Sequence, residues 1–438
     1  MKSYSSKCDE IPQVVSITNL LRRLWPSPSD ANVTAREIAQ ALAYIFKNQL
    51  SPVQAGALLT CLHFTGWDRR ADVLAECALS MREAALQPDY ETLAVVMKKK
   101  EKARGTYTGG LCDIVGTGGD SHDTYNVSTT SSILASALLL VSKHGNQAST
   151  STSGSADLLQ STLPVPPRLT AVTPESLGRI YKTSNYAFLF APVFHPGMKY
   201  AAPIRRDLGW RTIFNLLGPL TNPVDRLLEA RVLGVARREI GPVFAEALKI
   251  LGTSKTLIVC GEENLDEISC AGNTYCWNLV KSSQSSASSL PSASSASAPP
   301  DPFEEKTNSD IIIEHFTLSP SDFGLPSHPL ESVSPGKNSH DNAEILMKLL
   351  QNQLPDDDPI LHFVLMNTSA LFVTSGICES DDMSSIDIRT SHENNTVITE
   401  RGPGGGRWKE GVRLARWAIQ SGEAWRQWLN FVQASNNR

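Results

Sequence analysis

LCDIVGTGGD, residues 111–120, is the stretch whose reading decides the fold. Its first half is a short apolar run, the composition of a strand buried on both faces. Its second half turns on glycines and ends in an aspartate. Beyond a few polar residues comes SSILASALLLV (131–141), which reads as an apolar helix. VSKHGNQAST (141–150) repeats the strand-then-loop pattern, and LIVCGEENLDEIS (257–269) repeats it again. Short buried strands alternating with helices predict an α/β layer around a mostly parallel sheet. Ligands bind such sheets in loops beyond the carboxyl ends of the strands, so these loops are where chemistry is expected.

Upstream, residues 12 to about 104 read as helices. Ser51-Pro52 suits a helix start, because proline there loses no hydrogen bond. Ala55, Leu58, Leu59 and Leu62 follow at helical spacing, and Val73, Leu74, Cys77, Ala78 and Met81 line one face of a second helix. This region holds no dense polar constellation, so packing is its expected role. Downstream, core character returns at Ile311–Phe316 and Ile360–Phe372, and a helix through Val412, Ala415 and Ile419 closes the chain. Two stretches interrupt the core, a serine-rich low-complexity insertion at about 281–305 and a polar one at about 379–395. Neither carries enough apolar surface to offset its ordering entropy. The expected division is a helical domain over 1–107, joined by part of 195–225, and an α/β domain over 108–438.

A length of 438 residues exceeds one ordinary domain, which fits that division. Lys and Arg number 40 against 45 Asp and Glu, a net charge of −5 with no long basic block, which disfavours nucleic acid as a partner. The eight cysteines lack metal-ligand spacing and read as buried free thiols in a reducing compartment. The longest apolar run, Ile133–Val141, is too short for a membrane span of roughly 20 residues. The first sixteen residues, MKSYSSKCDEIPQVVS, lack a secretory core, so the expected location is the cytoplasm.

Glycines in Gly116-Thr117-Gly118-Gly119-Asp120 let the backbone approach a ligand with its N–H groups turned inward, as suits a phosphate. Asp120 would repel phosphate directly. It fits if it holds sugar hydroxyls, or if a divalent cation intervenes. Thr124, Asn126, Val127, Ser128 and Thr129 then bring hydroxyls and an amide to a helix start, which also favours anions. Lys143-His144-Gly145-Asn146, with the hydroxyl run through Ser151 to Ser155, is costly to bury unless something polar binds it. Asp266-Glu267 can serve a hard cation such as magnesium. A tight turn, a polar helix cap and an exposed acidic pair would use the same letters individually.

Together they are specific. GTGGD, T-x-N-V-S-T, KHGN with SGSAD, F-x-FAP with HPGM, R-x-x-LG-x-RT-x-FN-x-LGPL-x-NP (205–223) and LDEIS occur in the order seen in anthranilate phosphoribosyltransferases. The chain resembles that family from about residue 50 to its C-terminus, insertions apart. The resemblance implies a small all-helical domain packed on a larger α/β domain, a fold shared with pyrimidine nucleoside phosphorylases. It also implies a homodimer and transfer dependent on Mg2+, two ions per site. By the resemblance, Gly116, Gly119, Asp120, Thr124, Asn126, Val127, Ser128, Thr129, Lys143, His144, Gly145, Asn146, Ser151 and Ser155 bind 5-phosphoribosyl 1-diphosphate. Gly116, Asn146, His195, Arg205 and Pro219 meet anthranilate, and Ser128, Asp266 and Glu267 serve the metal. Asp120, Lys143 and Arg205 carry the catalytic roles.

The pattern departs at Gln147, where the family usually has arginine, and at Phe194, where a second histidine often stands. The run Gly402–Gly406 is an extra and reads as a flexible surface loop. His144 and His195 read as packing or hydrogen-bonding groups. Two rivals follow from the same fold, a nucleoside phosphorylase and a non-catalytic nucleic-acid-binding relative. The GTGGD-to-LDEIS set with its acidic pair disfavours the first, and Asp266, Glu267, Arg205 and the negative net charge disfavour the second.

Overall fold

The computed structural model describes residues 14–25, 32–148, 153–282, 310–381 and 396–437. The chain forms two compact units, one from Met1–Ala85 with His195–Leu217 and one from Leu86–Phe194 with Gly218–Arg438.

The first unit is helical, with helices Thr18–Leu24, Ala35–Phe46, Pro52–Thr65 and Ala71–Glu83, then Met198–Leu208 and Ile213–Leu217 from the later segment. Thr34 starts the second of these. Its hydroxyl accepts the Glu37 N–H at 3.2 Å, and the Glu37 carboxylate accepts the Thr34 N–H at 2.9 Å, so two orphan donors are satisfied reciprocally. Ser51 caps Pro52–Thr65, and Ala55, Leu58, Leu59 and Leu62 are buried as their spacing predicts. Each of those leucines is worth about 1.5–3 kcal/mol of transfer free energy.

The second unit is built on a seven-stranded sheet. Its strands are β1 (Leu111–Gly116), β2 (Leu140–Gly145), β3 (Tyr186–Phe190), β4 (Leu228–Gly234), β5 (Thr256–Gly261), β6 (Thr274–Lys281) and β7 (Ile311–Leu318). The spatial order is β3-β2-β1-β4-β5-β6-β7. The first five run parallel, whereas β6 and β7 pair antiparallel at one edge. The mostly parallel α/β sheet expected from the repeated strand-loop units is therefore present.

Helix Pro359–Ser375 is buried nearly all round and packs on β1 and β4, with helices Val127–Ala135 and Trp408–Gln420 against it. No helix among the described residues is long and apolar enough to cross a membrane.

Two local expectations are corrected. The apolar helix read over 131–141 stops at Ala135, and Leu140 and Val141 already belong to β2. A continuous apolar run has no period, so buried helix and buried strand look alike in it. The glycine run is a packed turn: the Gly402 N–H donates to the Gly406 carbonyl at 2.9 Å, and the Trp408 indole donates to Pro403 at 2.9 Å. Of the two insertions, residues 283–309 and 382–395 lie outside the described residues.

Candidate active site

Four parallel strands of the second unit end in glycine: Gly116, Gly145, Gly234 and Gly261. β1 and β4 are neighbours in register, so Gly116 stands beside Gly234. A Cβ on either glycine would overlap Asp266, from the turn that follows β5. The absence of side chains at these strand ends is what lets the acidic turn lie across the sheet.

The glycine loop is tied down at each step. The Thr117 N–H donates to the Gly234 carbonyl at 3.0 Å, and its hydroxyl accepts the Ala236 N–H at 3.1 Å. The Gly118 N–H donates to Asp266 Oδ2 at 2.6 Å. Gly118, Gly119 and Ser121 take positive φ of 63°, 73° and 67°, a curl that only the two glycines adopt without strain. Asp120 hydrogen-bonds Asp266, and its Oδ1 accepts the His122 N–H at 3.2 Å.

The hydroxyl-rich helix start meets the KHGN loop. The Asn126 amide donates to the Ser153 carbonyl at 2.9 Å, and the Thr129 hydroxyl donates to Ser155 at 2.8 Å. The carboxylate of Asp157 accepts the N–H groups of Ala148 and Gly154 at 2.7 and 3.0 Å. Ser151 lies outside the described residues. Asn146 and Gln147 are exposed, and Asn146 Oδ1 accepts the Gln147 N–H at 2.8 Å. Thr124 is half-buried just before the helix. Val127 is fully buried, so only its main chain could reach a ligand.

Lys143 lies in the sheet beneath these loops and is almost wholly buried. Burial pulls its ammonium below the ordinary lysine range, opposed by the charges of Asp113, Glu267 and Asp266. Asp113, on β1, is itself pushed up by burial, with Lys143 opposing. The Asn222 amide donates to Asp113 and to the Ser142 carbonyl, both at 2.9 Å, bracing β1 against β2. Arg231 on β4 pairs with Asp225.

At the acidic pair, burial and the charge of Asp120 push Asp266 up to about 7. Burial and Asp266 push Glu267 well above the carboxylate range, against the Ser128 N–H that donates to it. One Glu267 carboxylate oxygen is buried with no hydrogen-bond partner. Carboxylates crowded this way, one with an unsatisfied oxygen, favour added positive charge beyond that of Lys143, and a hard divalent cation suits oxygen donors. The donor set thus fits magnesium. Among the described residues, no group of three or more His, Cys, Asp or Glu is placed to hold a metal by itself, so a ligand's own oxygens would have to complete the coordination. The pair is steadied by Asn367, whose amide brackets Ile268: Oδ1 accepts its N–H at 3.0 Å and Nδ2 donates to its carbonyl at 3.2 Å.

The second unit therefore links Gly116, Asp120, Ser128, Lys143, Asp266 and Glu267 through hydrogen bonds and charge. His144 is buried on β2, and Pro219 is buried in the turn Gly218–Leu220. Phe194 is fully buried in the hydrophobic core, so packing explains this departure.

His195 and Arg205 belong to the helical unit. His195 is buried ahead of helix Met198–Leu208. Within that unit, the Arg205 guanidinium donates to Asn215 Oδ1 at 3.3 Å and sits 5.7 Å from the Phe214 ring centroid. Burial lowers its pKa, with Arg211 adding to the effect. No carboxylate among the described residues forms an ion pair with it.

The sequence reading missed four supports: Asp113, Asn222, His122 and Asn367. A lone carboxylate inside an apolar strand was the available signal for Asp113, since a buried charge demands a partner. Asn367 had a weaker one, an amide in the middle of an apolar helix.

Residues 108–295 and 305–425 match the family model described as glycosyl transferase family, a/b domain, and residues 18–85 match its helical bundle domain. The anthranilate phosphoribosyltransferase of Schizosaccharomyces pombe is 39% identical, across 90% of this chain and 91% of its own. That of Saccharomyces cerevisiae is 32% identical, across 87% and 86%. The solved Saccharomyces cerevisiae enzyme in complex with PRPP and Mg superposes with a TM-score of 0.72 at 28% identity, covering 96% of this chain and 98% of that one. Its complex with 4-fluoroanthranilate superposes with a TM-score of 0.69 at 27% identity, covering 95% and 97%.

Proposed function

Since the chain belongs to the anthranilate phosphoribosyltransferase family, we propose that it transfers the 5-phosphoribosyl group from 5-phosphoribosyl 1-diphosphate to the amine of anthranilate, releasing pyrophosphate. This is the second step from chorismate to tryptophan. One observation carries the reading: the glycine loop, the hydroxyl-rich helix start and the acidic pair, with its one unsatisfied Glu267 oxygen, belong to one hydrogen-bonded set at the ends of adjacent parallel strands.

As the bond from the anomeric carbon to pyrophosphate lengthens, positive charge builds on the ribose and negative charge on the leaving group. Asp266 and Glu267, with Ser128, would hold magnesium, which supplies Lewis-acid neutralisation of that negative charge. Three neighbouring carboxylates and a diphosphate carry enough negative charge for two such ions. The Gly119 N–H and the Thr124 hydroxyl bind diphosphate oxygens, residues 126–129 and Ser155 border them, and Lys143 adds its field from beneath. Asp120 orients the ribose hydroxyls.

Arg205 holds the anthranilate carboxylate through two parallel hydrogen bonds, a role that fits a guanidinium with no ion pair among the described residues. Of the other residues expected to meet anthranilate, Gly116, Asn146 and Pro219 belong to the second unit and His195 to the helical one. The aromatic amine arrives neutral with its lone pair available, so no strong base precedes attack. Holding the reactants in line can supply roughly 7–11 kcal/mol.

A homodimer fits the exposed apolar side chains Val53, Phe64 and Trp210 of the helical unit, which a second copy would cover. Free thiols at all seven described cysteines fit a cytoplasmic setting.

Following the loss of anthranilate fluorescence with the diphosphate donor, with and without magnesium, tests the assignment. Magnesium-dependent loss is expected. Phosphate-dependent release of ribose 1-phosphate instead would make the chain a nucleoside phosphorylase.

A further inference from the structure

The glycine loop and the acidic turn come from separate parts of the chain, and their mutual placement needs a fastener. His122 supplies one, across 141 positions of sequence: its ring Nε2 lies 2.8 Å from the main-chain carbonyl of Glu263. A carbonyl only accepts, so Nε2 carries the proton and donates. The same residue's main-chain N–H donates to Asp120 Oδ1 at 3.2 Å.

The turn that receives the imidazole is firm. The Gly261 N–H donates to Leu265 at 2.8 Å, the Asn264 N–H to Gly261 at 2.9 Å and the Glu262 N–H to Asn273 at 2.8 Å, while the Ser269 hydroxyl donates to the Glu263 carboxylate at 3.2 Å. A pull on the Glu263 carbonyl is therefore passed to Asp266 and Glu267 rather than absorbed.

We propose that His122 is a positioning residue of the diphosphate site: its imidazole ties the glycine loop to the turn bearing Asp266 and Glu267, while its main chain aims Asp120. The inference rests on the reading of that site given above. It names a residue that touches no reacting atom and acts through the alignment of two ligand-binding segments.

The test compares wild type with His122→Ala, His122→Gln and His122→Phe. Glutamine can donate to the same carbonyl, and phenylalanine fills similar space without a donor. Expected for the alanine and phenylalanine variants is a rise of about five- to tenfold in the dissociation constant for inorganic pyrophosphate with Mg2+, measured by titration calorimetry. That range matches the loss of about one hydrogen bond. The KM for the diphosphate donor and the half-saturating Mg2+ concentration should rise in parallel, while the KM for anthranilate moves less than about twofold. The glutamine variant should return to within about twofold of wild type.

Unchanged pyrophosphate affinity in all variants overturns the proposal. So does equal behaviour of the glutamine and phenylalanine variants, which would make the role one of packing. Because both of those variants fill the site, their comparison stands even if His122→Ala fails to fold. Calorimetry needs no turnover, so a wild type that binds pyrophosphate with Mg2+ but leaves anthranilate unconsumed would sink the assigned reaction and still leave the fastener testable.

Discussion

Arg205 and Gly234 show how much rests on single positions. Arg205 meets Asn215 and Phe214 and forms no ion pair with a carboxylate among the described residues, so its charge is available to a carboxylate ligand. Arg205→Ala is expected to raise the KM for anthranilate more than tenfold while moving the KM for the diphosphate donor less than about threefold, since a charge-assisted hydrogen bond contributes about 1.5–3 kcal/mol. Steady-state kinetics with each substrate varied would check it, and equal effects would remove Arg205 from the anthranilate site. Gly234 acts by having no side chain. A methyl there meets the Asp266 carbonyl, so Gly234→Ala should cost about 1–3 kcal/mol of stability by overpacking. It should also weaken Mg2+-dependent activity by more than tenfold. Denaturant melts and Mg2+ titrations read the two effects separately.

Elements whose loops bear chemistry were the legible ones. β1, β2 and β5 announce themselves because an apolar run ends in GTGGD, KHGN or GEENLDE. β4 did not, because LEARVLG carries Glu229 and Arg231 into the middle of a sheet. Glu229 accepts N–H groups of Thr108 and Gly110 and pairs with Lys255, and Arg231 pairs with Asp225 through one nitrogen while its other two stay buried without a partner. Partners as far along the chain as Thr108, Gly110 and Lys255 leave no local trace in composition or period. The glycine loop and acidic pair were legible for the complementary reason, that their function demands unusual letters. Their supports, Asn222 and Asn367, are ordinary amides whose meaning depends on contact.

Helix Pro359–Ser375 carries a titratable element of its own. His362 Nδ1 faces His328 Nε2 at 2.8 Å, its Nε2 faces the Asp356 carbonyl at 2.8 Å, and Arg416 approaches at 3.4 Å. Burial holds its pKa below the ordinary histidine value, with Arg416 and His328 adding to the effect and the Asp356 carbonyl and Asp357 opposing. The unfolded chain then binds the proton more readily, so stability is full above about pH 6.5 and falls as pH drops below it. The melting temperature should decline between pH 6.5 and 5, and His362→Gln should flatten that slope. An unchanged slope would assign the decline to other groups.

For the whole molecule, the acidic pair trades stability for binding. With Asp266 pushed up to about 7, the metal-free fold holds a proton that the unfolded chain has released above about pH 4. Its stability is therefore lost as pH rises through that window. Divalent metal replaces the proton, so Mg2+ with pyrophosphate should raise the melting temperature more at pH 8 than at pH 6. A shift independent of pH would mean that these carboxylates do not receive the cation.

The antiparallel edge has a different consequence. β6 and β7 stay in register from Thr274↔Leu318 to Lys281↔Ile311, and the Ser282 N–H still donates to the Asp310 carbonyl at 2.6 Å. The hairpin is thus zipped shut before residues 283–309 begin. Replacing them with an Asn-Gly turn, or with a fluorescent reporter, should leave turnover and melting temperature within error of the parent, making this seam a port for immobilising or tracking the protein.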